Sequence, residues 1–192
     1  MPNAEKMIKE VMDEDDEIME FQTFTGSRGS FFCFAIIVHE NKRKLLVIKH
    51  KDNVNYLIAN NENAVMQEDE GGVYGDPYDG ISIEDGKLIM HYYGGSASWR
   101  WIRELYFDIG DEDIMLSKYA FYYFSANVDN QEDILKSEGG HIKELDFIRG
   151  VKIDKKNNNN KVESKTEKMK KYVFNIMDFN ISNFIGKFDW EE

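Results

Sequence analysis

Five carboxylates, Glu68, Asp69, Glu70, Asp76 and Asp79, gather in one glycine-rich stretch, where paired acids can serve glycoside hydrolysis or hold a divalent cation. Their spacing fits no calcium loop, and acids among glycines commonly cap turns. Asp76, just before Pro77, therefore reads first as a turn former. His39, His50, His91 and His141 form neither His-x-His nor His-x-x-x-His, so the sequence offers no local pair of metal ligands. Ser96 and Ser98 lie outside any Gly-x-Ser-x-Gly elbow, and no Lys-Ser/Thr follows the glycines at 71–75. Neither a hydrolase nucleophile nor a phosphate loop is signalled. No catalytic residue, metal ligand or cofactor is assigned. What remains is recognition chemistry: Asp76, Tyr78, His91, Trp99, Arg100 and Trp101 combine aromatic faces with polar handles and are the candidate ligand contacts.

The elements that must position these residues are set by bulk properties. At 192 residues, 42% hydrophobic and 14% aromatic, the chain is long and apolar enough to bury a core as one domain. Its net charge of −12 argues against a nucleic-acid surface, which needs clustered cations to displace counterions. The lone Cys33 sits within the apolar run 30–38, so no disulfide closes inside the chain and a buried structural thiol is expected. That run is too short to span a bilayer. The N-terminus shows no basic n-region followed by an apolar h-region, which on its own points to the cytoplasm.

Asn3 can cap a short helix through Met12, and an acidic run follows, so residues 1–17 form an acidic, helical, solvated lead-in. From residue 18 the period changes to that of strands. Segments 18–25, 30–39, 44–50 and 55–59 read as an antiparallel meander joined by short turns. An irregular stretch at 60–79 precedes strands at 81–83 and 87–93, joined through Asp85-Gly86, and further strands at 99–109 and 114–125. Segments 141–151 and 169–179 are expected to close the sheets, and 154–168, with its run of asparagines, to be an exposed loop. The expected fold is mainly β, with antiparallel meander sheets arranged as a sandwich or partial propeller, over a single domain at 18–192.

The run Gly72-Val73-Tyr74-Gly75-Asp76-Pro77-Tyr78, followed by Ile81-Ser82-Ile83, Asp85-Gly86, Gly94-Gly95-Ser96 and Trp99-Arg100-Trp101, resembles a family of bacterial secreted proteins and lipoproteins often labelled FG-GAP-like or VCBS-repeat-like. The likeness is tight over 72–106 and looser over 21–179, where Met177-Asp178-Phe179 is similar to the family's Leu-x-Asp-Phe ending. One departure is chemical. Family members commonly carry an Asp-rich calcium loop near the start, whereas Thr25-Gly26-Ser27-Arg28-Gly29 has no carboxylate, so that site is expected to be missing. The resemblance implies an exported bacterial domain of unknown ligand, with any membrane attachment made through a lipid anchor outside this chain. It implies no reaction.

Three classes compete at this stage. The resemblance favours a binding module of the cell envelope or a secreted protein, taking a protein, peptide or carbohydrate. The acidic charge favours a cytoplasmic interaction protein of inhibitor or immunity type. An enzyme using the loop carboxylates comes third. Alternation places Trp99 and Trp101 on one strand face with Leu105 and Phe107, and Arg100 on the other. Trp101→Ala is therefore expected to destabilise the fold by roughly 3–5 kcal/mol in urea melts, the range for deleting a large buried aromatic. Arg100→Ala should cost about 1 kcal/mol or less, as for an exposed charge. A nearly silent Trp101→Ala would put the indole on the surface.

Overall fold

In the computed structural model, which describes residues 2–189, four two-residue turns hold both central residues at positive φ: Glu40-Asn41, Asp52-Asn53, Asp85-Gly86 and Asn159-Asn160. Turns of this kind match the right-handed twist of the strands they join, and Asn, Asp and Gly tolerate them best. They shape much of two antiparallel meanders. Strands β1 (Glu17–Thr25), β2 (Phe31–His39), β3 (Lys42–Lys51) and β4 (Val54–Asn61) form a four-stranded sheet in chain order. Seven more strands, β5 (Tyr78–Glu84), β6 (Lys87–Gly95), β7 (Trp99–Ile109), β8 (Ile114–Ser125), β9 (His141–Asp146), β10 (Val151–Asn158) and β11 (Lys161–Lys168), form the second sheet, again in order.

The sheets pack face to face through side chains such as Phe32, Phe34 and Val47 from one and Leu88, Tyr92 and Leu105 from the other. Their edges are tied by Glu20 of β1, whose carboxylate accepts hydrogen bonds from the Tyr78 hydroxyl and, at 3.2 Å, from the Ile81 N–H on the edge of β5. Helix α1 (Ala4–Lys9), capped by the Asn3 side chain, lays Met7 and Ile8 across the far face of the four-stranded sheet, onto Cys33, Ala35, Leu46 and Ile48. This explains why β2 and β3 are apolar on both faces. Burial pushes the Cys33 thiol up to about 12, which leaves it inert.

Three expectations change. The N-terminal segment is helical but docked; of its acidic run Asp13, Glu14, Asp15 and Glu17 are exposed as expected, while the buried Asp16 carboxylate meets Lys44 at 2.7 Å and His39 at 3.0 Å. The exposed loop at 154–168 is instead the outer end of the β10–β11 hairpin: its residues lie largely in solvent, but alternating Lys and Glu are compatible with a strand when the turn is Asn-Asn. The strand at 169–179 is mostly irregular and touches β8 through one bridge, Met115 with Asn175. Beyond it stands a second helix, α2 (Ile181–Phe188), whose Asn180 cap accepts from the Asn183 N–H. Isoleucines and phenylalanines at 181, 184, 185 and 188 give it one apolar face.

The four-stranded sheet is too narrow to cover seven strands, and the C-terminal segment fills the remainder of the inner face. Phe179 meets Phe107, Phe184 meets Tyr119, and Phe188 meets Phe147, all edge to face. At its end, the buried Asp189 carboxylate receives the Arg103 guanidinium through two hydrogen bonds of 2.8 and 2.6 Å, and a third from the Tyr119 hydroxyl. The guanidinium lies over the Trp101 ring, 3.7 Å from its centroid. Lys143 donates to the Phe188 and Asp189 carbonyls at 3.2 and 2.8 Å, serving the orphan acceptors at the end of α2. Trp101 faces inward as expected and is half-buried, and Gly94 has no side chain because a Cβ there would sit 2.2 Å from the indole. Removing the charge with Asp189→Asn leaves Arg103 buried without a counter-ion, so a loss of about 3–5 kcal/mol is expected in urea unfolding. An unchanged midpoint would show that the ion pair is not what holds α2 down.

Candidate functional site

Alternation along β5 to β9 sends a second set of side chains to the outer face of the large sheet, away from the core. Ser82, His91, Glu104, Tyr106, Lys118, Tyr122 and Glu144 meet there because the register aligns five strands. His91 stands opposite Glu104, Glu104 opposite Ala120, and Ala120 opposite Glu144. Ala120 is fully buried and separates the two carboxylates within that row. Lys118 reaches Glu144 at 2.6 Å and lies 5.3 Å from the Tyr106 ring centroid.

Glu104 is the hub of this surface. Its carboxylate accepts from the Tyr106 hydroxyl at 2.6 Å and the Tyr122 hydroxyl at 3.5 Å, and one oxygen lies 3.8 Å from His91 Nδ1. Burial pushes the carboxyl up, but the bonds from His91 and Tyr106 reverse that and leave it below its usual value. Conversely, Glu104 holds the His91 imidazole above its ordinary value, against a desolvation that lowers it, with Asp79 and Glu84 adding to the attraction. Desolvation first, and the Glu104 charge second, raise both phenols, so they stay protonated donors. Beside this cluster opens a hollow of about 500 Å3, lined by Lys87, Tyr106, Lys118, Glu144, Arg149 and Ile153 among others.

Ser82 Oγ lies 2.9 Å from His91 Nε2, which gives the order hydroxyl, imidazole, carboxylate across three neighbouring strands. That order suffices for a polarised hydroxyl. Acyl transfer also needs backbone donors aimed at a developing oxyanion. β6 and β7 are interior strands, with N–H groups engaged in the ladders to their neighbours, and on the edge strand β5 the Ile81 N–H beside Ser82 is taken by Glu20. The arrangement is a hydrogen-bonding surface, with donors and acceptors held in place by one another.

Of the residues singled out in the sequence, His91 alone belongs to this cluster. Asp76 instead clamps the buried Arg43 through bonds of 2.8 and 2.5 Å and accepts from the Tyr78 N–H, as a turn former does. Tyr78 packs under Arg43 and bonds Glu20, which makes both residues joints between loop and sheets. Arg100 faces outward and stacks on Tyr74 at 4.1 Å, at one end of the same outer face. Trp99 stacks on Tyr123, with centroids 5.0 Å apart, on the inner face. The loop acids do not converge on a hollow: Glu70 bonds the Gln67 N–H and the Ser182 hydroxyl, while Glu68 approaches Arg43. Among the described residues, no three His, Cys, Asp or Glu side chains gather as metal ligands. Glu104, Tyr106, Lys118, Tyr122 and Glu144 escape a reading of the sequence because only cross-strand register joins them. The alternation that puts Glu104 and Tyr106 on the face opposite Trp101 was the available signal.

Comparison of the chain with protein-family models, with curated proteins and with solved structures finds no match.

The paired shifts of His91 and Glu104 set a pH window. The raised imidazole stabilises the fold below its unfolded value near 6.5, and that contribution fades as pH rises through its folded value. The lowered carboxyl contributes above its unfolded value near 4.5 and fades as pH falls through its folded value. The stability difference between the wild type and His91→Gln is therefore expected to be larger at pH 5.5 than at pH 9 in urea melts. A difference that does not change with pH would dissolve the proposed pair.

Proposed function

We propose that this chain is a non-catalytic binding domain that takes its ligand on the outer face of β5 to β9. The observation that carries the reading is the asymmetry of cover. The inner face of β5 to β9 lies under the small sheet and the C-terminal segment, and the middle of the small sheet's far face, on β2 and β3, lies under α1. The outer face of β5 to β9 has, among the described residues, a 3-10 turn (Gln131–Lys136) over the ends of β8 and β9 and the loop of Tyr74 over Tyr93 and Arg100, with the surface between them open. A sheet face left open with half-buried tyrosines, a histidine and paired charges is a surface organised for contact.

The resemblance over 72–106 supports placing such a domain in a secreted or envelope protein of a bacterium, where a module without chemistry of its own serves by holding something. The interaction is assigned to the large sheet because Tyr74, Tyr93 and Arg100 extend the same face with exposed or half-buried aromatic and guanidinium groups, the kinds that dominate binding energy. The test compares the wild type with a Lys118→Ala/Glu144→Ala double variant, which removes a partly exposed pair without changing net charge. Both are immobilised and exposed to a solubilised bacterial envelope fraction. The wild type is expected to retain components that the variant loses, with equal melting temperatures for the two proteins. Identical retention by both would remove the outer face as the binding surface.

A further inference from the structure

Every cation around the outer-face hollow already has an acid. Lys87 is paired with Asp108, Lys118 with Glu144 and Arg149 with Asp146, while His91 beside them faces Glu104. A site built for a phosphate, a sulfate or a carboxylate presents unmatched cations. A site for a cationic segment presents unmatched acids. Here neither is on offer, and the −12 charge of the whole chain repels polyanions further. The lining is equally mixed: Val151 and Ile153 are half-buried, Ile148 is exposed, and the Tyr106 hydroxyl donates to Glu104. Greasy patches of that size between hydrogen-bonding groups do not suit a lipid chain, which needs a continuous apolar lining.

We propose that the ligand of this face is an uncharged oligosaccharide, an inference that rests on the binding reading above and names its substrate class. A pyranose ring matches the lining in both respects. Its C–H face packs on a phenol ring such as Tyr106, and its vicinal hydroxyls both donate and accept. Paired Lys–Glu and Arg–Asp groups offer the complementary mixture without a net charge. The hollow of about 500 Å3 lies within the usual range for small-ligand clefts, and its lining comes from β6 to β10, so several sugar units can contact neighbouring strands at once. Specificity then comes from the fixed spacing of the pairs, which the strands set.

The experiment titrates the full chain by calorimetry with maltohexaose, cellohexaose, chitohexaose, xylohexaose and mannohexaose, with heparin and hexagalacturonate as charged controls. At least one neutral hexasaccharide is expected to bind, with an affinity unchanged between low and high salt, because screening acts on charges. Tyr106→Ala is expected to weaken that binding by about tenfold or more. Tyr106→Phe, which keeps the ring, should retain most of the affinity and controls for folding. Binding of heparin or hexagalacturonate in preference to all five neutral sugars, or binding of none of the five, overturns the sugar assignment. If no sugar binds while the Lys118→Ala/Glu144→Ala variant still loses envelope components, the binding reading stands and its ligand is a protein or peptide. If a sugar binds equally to the wild type and to Tyr106→Ala, the outer face is the wrong surface.

Discussion

A seven-stranded sheet has more apolar inner face than a four-stranded sheet can cover, and the architecture follows from that mismatch. The four strands align their first edge with β5, where Glu20 closes the corner, and run out of width at β4. The C-terminal segment takes over at that line: Asn61 of β4 donates to the Ile176 and Phe179 carbonyls, and the Ile181 N–H bonds the Asn63 carbonyl. From there the phenylalanines of the segment pave β7 to β9. A strand in this place would send half of its side chains to solvent. An irregular segment leading into an amphipathic helix turns most of its aromatics inward.

The polar groups inside this layer are arranged to lower the cost of their burial. Arg103 and Asp189 satisfy each other with Tyr119 as third partner, and Lys143 meets carbonyls that would otherwise be stranded at a helix end. Such networks add little net stability over an apolar core but penalise any arrangement in which one member is absent. They therefore fix where α2 sits more than how tightly it packs. The outer face uses the same chemistry to another end. There the groups are only half-buried, and water or a ligand can replace part of what they bond.

Much of the fold was legible in the sequence because its strands announce themselves by period and its turns by residue type. Asp85-Gly86 is a hairpin in both readings, as are the turns around Asn41 and Asn53, since few residues accept positive φ. The charged hairpin at 154–168 was hidden because strand propensity rewards packing, and β11 packs against almost nothing. Helix α2 left a signal in its i, i+3, i+4, i+7 apolar spacing and its Asn180 cap, one overshadowed by the aromatic run before it. The site is a different matter. Side chains from five strands meet on the outer face, and no spacing along the chain encodes a cross-strand register. Within the hollow's neighbourhood, His91 was legible as an isolated polar residue while its partner Glu104 was not.

Arg103 and Tyr119 are synthesised long before the carboxylate that neutralises them. Until Asp189 has left the ribosome, a nascent chain that closed its sheets would enclose a guanidinium without its anion, and the inner face of β7 to β9 would lack its phenylalanines. The early strands can pair, but the sandwich cannot reach its final energy one strand at a time. Closing the inner layer over β7 to β9 thus waits on one carboxylate that follows all of the strands β1 to β11 in sequence.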